Sequence, residues 1–297
     1  MSNKPRKMTL EKKHNLTGWA FLAPATFLIA VFSFWPMIKA LVLSFQTGKG
    51  RNMQMAGFTN YIRMFQDDVF IQSIKNTFFY FILQVPIMLV VALVLACILN
   101  KKDLRFKGFF RTMIFLPCTT SLVAYSIIFR SLFANDGLVN YVLVNIGILD
   151  KPYNFLTQPF AAKMVIILGL LWRWTGYNMV FFLSGLQNIE YSVYEAAKID
   201  GASAIQTFFK ITVPLLKPTI LLTAIMSTNG TLQLFDESIN LTDGGPANAS
   251  ISMSHYIYNL CFKYVPNFGY AAAMSFFILL LVAVLAFIQM RVGDKRD

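Results

Sequence analysis

The chain has 297 residues, of which 56% are hydrophobic and only 13% charged, with 29 Phe. Soluble domains carry about 25% charge, so this balance excludes a soluble enzyme and reads as a polytopic membrane protein. The formal net charge of +12 calls for no nucleic-acid partner, because Lys and Arg collect beside apolar segments, where they orient a membrane protein and attract anionic lipid.

A hydrocarbon core of about 30 Å is crossed by about 20 helical residues rising about 1.5 Å each. Six segments meet that length: Trp19–Phe45, Thr77–Leu99, Phe109–Phe133, Ala162–Leu186, Thr219–Leu241 and Tyr270–Met290. The expected fold class is therefore an all-α membrane protein with six transmembrane helices. Residues 1–18 read as a basic arm and 19–297 as one six-span domain. The first apolar run is longer than the roughly 7–15 residues of a signal-peptide core, so it reads as a retained span.

Lys and Arg divide 16 to 7 between the two sides of these spans, the larger share lying in the arm, between spans two and three, in loop 187–218 and in the tail. The positive-inside rule then places both termini and loop 187–218 in the cytoplasm. The remaining long stretches, Gln46–Asn76, Ala134–Ala161 and Thr242–Gly269, fall on the outer side. There they suit either contact with a delivery protein or packing as lids.

Within loop 187–218 lies EAAKIDGASAIQTFFKITVPLLKP, a polar, helix-forming stretch between two apolar spans. Glu195, Ala196 and Ala197 continue a helix that begins near Ser192, and Gly201 after Asp200 supplies the backbone freedom to end it. Ala202, Ile205, Phe208, Phe209 and Ile211 recur at helical spacing until Pro214 and Pro218 remove donors. Two short helices crossing at Gly201 are expected, with Ala196 and Ala197 offering a small face to a partner groove and Phe208 and Phe209 anchoring the second helix.

Chemistry-bearing clusters are missing from the sequence. Cys97, Cys118 and Cys261 show no CxxC spacing, His14 and His255 are isolated, and no phosphate-cradling GxxxxGK[ST] run occurs. No metal site, cofactor or catalytic group is expected. If ATP drives this protein, another chain binds it.

The 195–218 stretch resembles the signature loop of the membrane subunits of ATP-binding-cassette importers. FLAPATFLIAVFSFWPMIKALVLSF, RTMIFLP, SGLQNIEYSVYEAAKIDGA and LTDGGPANAS followed by YIYN and FGYAAAMS are similar to carbohydrate permeases of the maltose and glycerol-phosphate type, nearly end to end. LTDGGPANAS resembles the F-type subunit of the heterodimer, and Val213 stands where the family commonly has Leu. The resemblance implies a type I importer permease in a bacterial or archaeal cell membrane. It implies a second homologous permease, two cytoplasmic subunits that bind ATP and Mg, an extracellular solute-binding protein and a sugar or oligosaccharide substrate. Coupling to the ATPase falls to Glu195, Ala196, Ala197, Asp200, Gly201 and Pro214.

For the substrate, the resemblance favours Ser227, Gly230, Thr231 and Leu234 in span five, Arg173 and Trp174 in span four, and the Pro117–Ser121 break with Cys118 and Ser121. A sugar needs an aromatic face for its C–H surfaces and polar groups for its hydroxyls, which Trp174 with Ser227 and Thr231 supply. Helical rotation puts Asn229, Gln233 and Asp236 on nearly the opposite face, so only one stripe is expected to line a pathway. Arg173, near mid-span, must face the interior. It binds substrate or forms an ion pair with Asp236 or Glu237. A secondary transporter or channel, or an importer for a solute other than sugar, are the competing readings. A membrane-embedded enzyme lacks the necessary cluster.

Overall fold

The structure is a computed structural model that describes residues 9–49, 52–101 and 103–293. The arm residues Lys4, Arg6 and Lys7, together with Arg51, Lys102, Lys295 and Arg296, lie outside the described residues.

The first crossing is α1 (Leu10–Ile29) continued through a wide turn at Ala30–Phe34 into α2 (Trp35–Ser44). Pro36 has no N–H and its ring crowds the preceding turn, and the Trp35 N–H reaches back five residues to the Ala30 oxygen. This local widening keeps the helix continuous through the proline. The helix begins at Leu10, so part of the expected arm is helical and the boundary at Trp19 is corrected.

A two-stranded antiparallel hairpin, β1 (Gln46–Lys49) with β2 (Asn52–Met55), follows, the one departure from an all-helical fold among the described residues. Next come α3 (Thr59–Met64) and the long α4 (Asp68–Asn100). Asp67 caps α4 by accepting from the Val69 and Phe70 N–H groups at 3.0 and 3.2 Å. Its other oxygen accepts from the Tyr256 and Tyr270 hydroxyls, each at 2.7 Å. Burial raises the pKa of this carboxyl, but the four donors outweigh it and hold the group below its ordinary range.

The third crossing is not one helix. α5 (Lys107–Thr119) and α6 (Leu122–Leu132) meet at 98°, a sharp bend that falls within the Pro117–Ser121 break expected in the Phe109–Phe133 span. After α7 (Leu138–Asn145), α8 (Pro159–Gln187) packs most extensively on α4. Ala92, Ala96 and the facing Leu183 and Leu186 form one buried cluster, small side chains letting the two helices approach.

Beyond α8 come α9 (Tyr191–Ile199), α10 (Ala204–Thr207), α11 (Val213–Leu215) and α12 (Lys217–Leu232). The helix over 204–215 runs on through Pro214, with a wide turn at Phe208–Thr212 ahead of it, and ends at Leu215. Pro218 sits in the first turn of α12, where its missing N–H has no partner to lose. The 204–215 segment meets α12 at 70°. α12 ends at Leu232, short of the expected Leu241, and α13 (Asp236–Thr242) is a separate helix.

α14 (Met253–Tyr258) and α15 (Phe268–Gly293) complete the chain. Among the described residues four helices are long and apolar enough to cross a membrane, and with each bent pair counted as one span the crossings number six. The LTDGGPANAS segment is packed as a lid. Asn76 donates to the Asn248 and Ile251 oxygens at 3.1 and 2.9 Å, and the Tyr80 hydroxyl to the Ser250 oxygen at 2.9 Å, holding the segment to α4.

Candidate functional site: a mid-helix cavity and a polar hairpin

Gln84 is the middle residue of α4, and Trp174 lies near the middle of α8. Between them and α12 is a cavity of about 320 Å³, the size of a small-ligand site. Trp174, Ser227, Gly230, Thr231 and Leu234 all line it, so five of the expected substrate residues come together. The polar groups are held in place. Thr231 Oγ1 donates to Gln84 Oε1 at 2.8 Å, Asn178 Nδ2 to the Trp174 oxygen at 3.0 Å, and Ser227 Oγ to Asn178 Oδ1 at 3.3 Å.

The expectation that one stripe alone lines the cavity is corrected. Because α12 stops at Leu232, Gln233 and Asp236 leave the helical register and reach the same wall, with Glu237 beside them. Asn229 lies instead on a second cleft of about 570 Å³ against α14 and α15, where it accepts from Gln233 Nε2.

Arg173, Cys118 and Ser121 do not line the cavity. Arg173 is 6% exposed. Its guanidinium donates to the Thr120 oxygen at 2.7 Å, to the Pro117 and Cys118 oxygens at 3.3 Å each, and to Thr120 Oγ1 at 3.2 Å. A helix broken in an apolar environment leaves carbonyls in need of donors. Arg173 supplies them to the Cys118 and Thr120 oxygens and adds to the 2.7 Å bond that Thr120 Oγ1 already makes to the Pro117 oxygen. It makes no ion pair with Asp236 or Glu237 among the described residues. Its guanidinium also lies 5.4 Å from the Trp174 ring centre, behind the cavity wall. Gly176, one turn on, lets α5 pass closely: a Cβ there would fall 1.9 Å from the Ile114 oxygen.

Gln84, Met88, Tyr177 and Asn178 were missed in the sequence. Gln84 and Asn178 each carried a signal, an amide inside an apolar span, which marks a buried polar contact or a pathway.

The second site is the hairpin. The Ala202 and Gly201 N–H groups donate to the Ala197 and Lys198 oxygens at 2.9 and 3.2 Å, with Gly201 at φ +74°. This double closure ends α9 and demands a left-handed residue. Ser203 and Gln206 then cap α10 reciprocally. Glu195, Ala196, Asp200, Gly201 and Pro214 are exposed, whereas Ala197 is buried within the chain and offers no face to a partner. Phe208 packs on the bundle as expected, but Phe209 is exposed. Ile199 and Ile205, 85% and 71% exposed, flank the turn, so a polar hairpin carries an apolar tip.

The family model of the binding-protein-dependent transport system inner membrane component matches residues 68–296. The lactose transport system permease protein LacF of Rhizobium radiobacter is 52% identical over 292 residues, 98% of each chain. The arabinooligosaccharides transport system permease protein AraP of Halalkalibacterium halodurans is 31% identical over 96% of this chain and 90% of its own. Among solved structures, a bacterial alginate ABC transporter in complex with alginate pentasaccharide-bound periplasmic protein has a chain that superposes with a TM-score of 0.85. That chain is 25% identical, over 98% of both. The chain is a multi-pass member of the family of inner membrane components of binding-protein-dependent transport systems.

Proposed function

We propose that this chain is the sugar-conducting permease subunit of an ATP-driven importer. The observation that carries the reading is the mid-helix cavity, whose lining joins one indole, Trp174, with the polar Ser227 and Thr231. An aromatic face packs on sugar C–H surfaces while fixed hydroxyls and amides replace water at the hydroxyls. Similarity to permeases of lactose and arabinooligosaccharide systems supports a saccharide substrate.

In this reading both termini and the hairpin are cytoplasmic, and a second homologous permease completes the pathway. Two cytoplasmic ATPase subunits bind ATP and Mg. A solute-binding protein delivers sugar to the outer side. Glu195, Ala196, Asp200, Gly201 and the exposed Ile199 and Ile205 are the docking face for one ATPase. ATP-driven closure of the ATPase pair moves the hairpin, and the spans rock between inward-open and outward-open states. The shift requires different contact energies in those two states. The hairpin is joined to the cavity wall through 204–215 and α12, so displacement at Gly201 is carried to Ser227 and Thr231 by a continuous path of chain.

The test is uptake of labelled lactose and arabino-oligosaccharide by cells that hold the partner subunits, with and without this chain. Uptake that needs both this chain and ATP supports the reading. Gradient-driven uptake by the lone purified chain in liposomes would replace it with a secondary transporter.

A further inference from the structure

The wall of the mid-helix cavity is charged in one sense only. Its acidic groups are the half-buried Asp236 and, beside it, the buried carboxyl of Glu237, and it has neither Lys, Arg nor His among the described residues that line it. Arg173, whose guanidinium carbon is 5.4 Å from the Trp174 ring centre, does not line the cavity and donates through both terminal nitrogens to the carbonyls of Pro117, Cys118 and Thr120. The remaining polar groups, from Gln84, Asn178, Ser227, Thr231 and Gln233, are neutral amides and hydroxyls.

A carboxylate accepts hydrogen bonds and donates none once ionised. Facing a sugar, it accepts from hydroxyl groups and rewards an uncharged polyol. Facing a uronate or a phosphate, it presents a like charge in a half-enclosed site where solvent screens poorly. A transport site for anionic saccharides needs Arg or Lys in a fork or point contact, and this wall offers none.

We propose that Asp236, with the buried carboxyl of Glu237 beside it, is the specificity-determining residue that restricts this permease to uncharged saccharides and excludes uronate-containing or phosphorylated ones. The inference rests on the reading that the cavity is the sugar site. The chain break at 233–235 is what makes it possible. Were α12 to continue as a helix, Asp236 would point away from Ser227 and Thr231.

The experiment uses the assembled transporter in detergent, without its solute-binding protein, so that the binding protein's own selectivity does not enter. Equilibrium binding is measured for labelled lactose and for lactobionate, a disaccharide of similar size that carries a carboxylate. The wild type is expected to favour lactose at least tenfold, a ratio that a like charge about 5 Å away accounts for at an effective dielectric near 20. In the isosteric double variant Asp236→Asn, Glu237→Gln, the ratio is expected to fall below about threefold whatever happens to the absolute affinity, with subunit recovery checked by co-purification. Equal binding of the two ligands by the wild type, or a ratio unchanged in the double variant, overturns the proposal while leaving the sugar site standing. Trp174→Ala is the separate control. If it leaves lactose binding untouched, the cavity is not the sugar site and both readings fall together.

Discussion

The Arg173 guanidinium stands 2.7 Å from the main-chain oxygen of Thr120, tying the middle of α8 to the break between α5 and α6. A charged group near a bilayer centre is tolerated only where it is satisfied, and here it satisfies the carbonyls that the 98° bend leaves open.

Replacing Arg173 by Leu strands the Cys118 and Thr120 oxygens in an apolar setting, while the Pro117 oxygen keeps Thr120 Oγ1 as its donor. An unmet buried polar group costs about 1–3 kcal/mol, so the solubilised complex is expected to lose on the order of 3 kcal/mol and unfold at a visibly lower temperature. Arg173→Lys, which keeps a donor but not the fork, is expected to fall between the two. Unchanged thermal unfolding of Arg173→Leu would falsify the role.

Two glycines separate packing from pathway. A Cβ at Gly176 would meet the backbone at Ile114, whereas one at Gly230 meets nothing within 4 Å. Gly176→Ala is expected to reduce the yield of folded protein sharply, because backbone on both sides must move. Gly230→Ala is expected to fold normally and to raise the KM for uptake by narrowing the cavity. Membrane yield and uptake kinetics, measured side by side, check both.

Coupling can be broken without touching the cavity. Gly201 sits at φ +74° with open space around it, so Gly201→Val is strained only through its backbone, at a cost of about 1–2 kcal/mol. The chain should still insert, while ATPase recovery with the complex and sugar-stimulated ATP hydrolysis drop. Glu195→Ala is expected to weaken docking without that strain. Normal recovery and hydrolysis in both variants would sink the docking role.

Trp174→Ala removes the aromatic face of the cavity, and loss of one stacking partner is typically worth about 1–3 kcal/mol. Uptake is expected to fall roughly tenfold or more. Thr231→Leu fills space and leaves Gln84 Oε1 without its donor, so it too should lower uptake. Asn229→Ala, on the other cleft, is expected to spare it. Uptake normalised to assembled complex decides, and loss with Asn229→Ala alone would move the pathway to the cleft between α12 and α15.

His255 is buried, donor or acceptor to Ser238 through Nδ1, and 3.7 Å from Asp243, which also pairs with Lys263 at 2.6 Å. Burial pushes its pKa down to about 4, with Asp243 opposing and Lys263 assisting the drop. Between pH 6.5 and 4 the unfolded chain takes up a proton that the folded chain refuses. Stability therefore falls as pH falls through that window. His255→Gln should flatten the decline in unfolding temperature over that range, and parallel curves for the two proteins would remove His255 as its source.

Six apolar segments and the turn at Gly201 were legible in the sequence, because span length and a left-handed cap are local properties. The Trp174, Ser227, Gly230, Thr231 and Leu234 set was legible through resemblance. What tertiary structure alone decided was which distant groups meet the helix breaks and where α12 ends. The break at Thr120 and Ser121 exists because Arg173, 53 residues away in sequence from Thr120, satisfies it, and no window of local composition contains that partner. Likewise Pro218 reads as a terminator, and the 70° bend ahead of it makes it also a first-turn residue of α12. The end of α12 at Leu232 brought Gln233 and Asp236 onto the same wall as Thr231, because helical rotation governs which side chains share a face only as far as the helix itself continues.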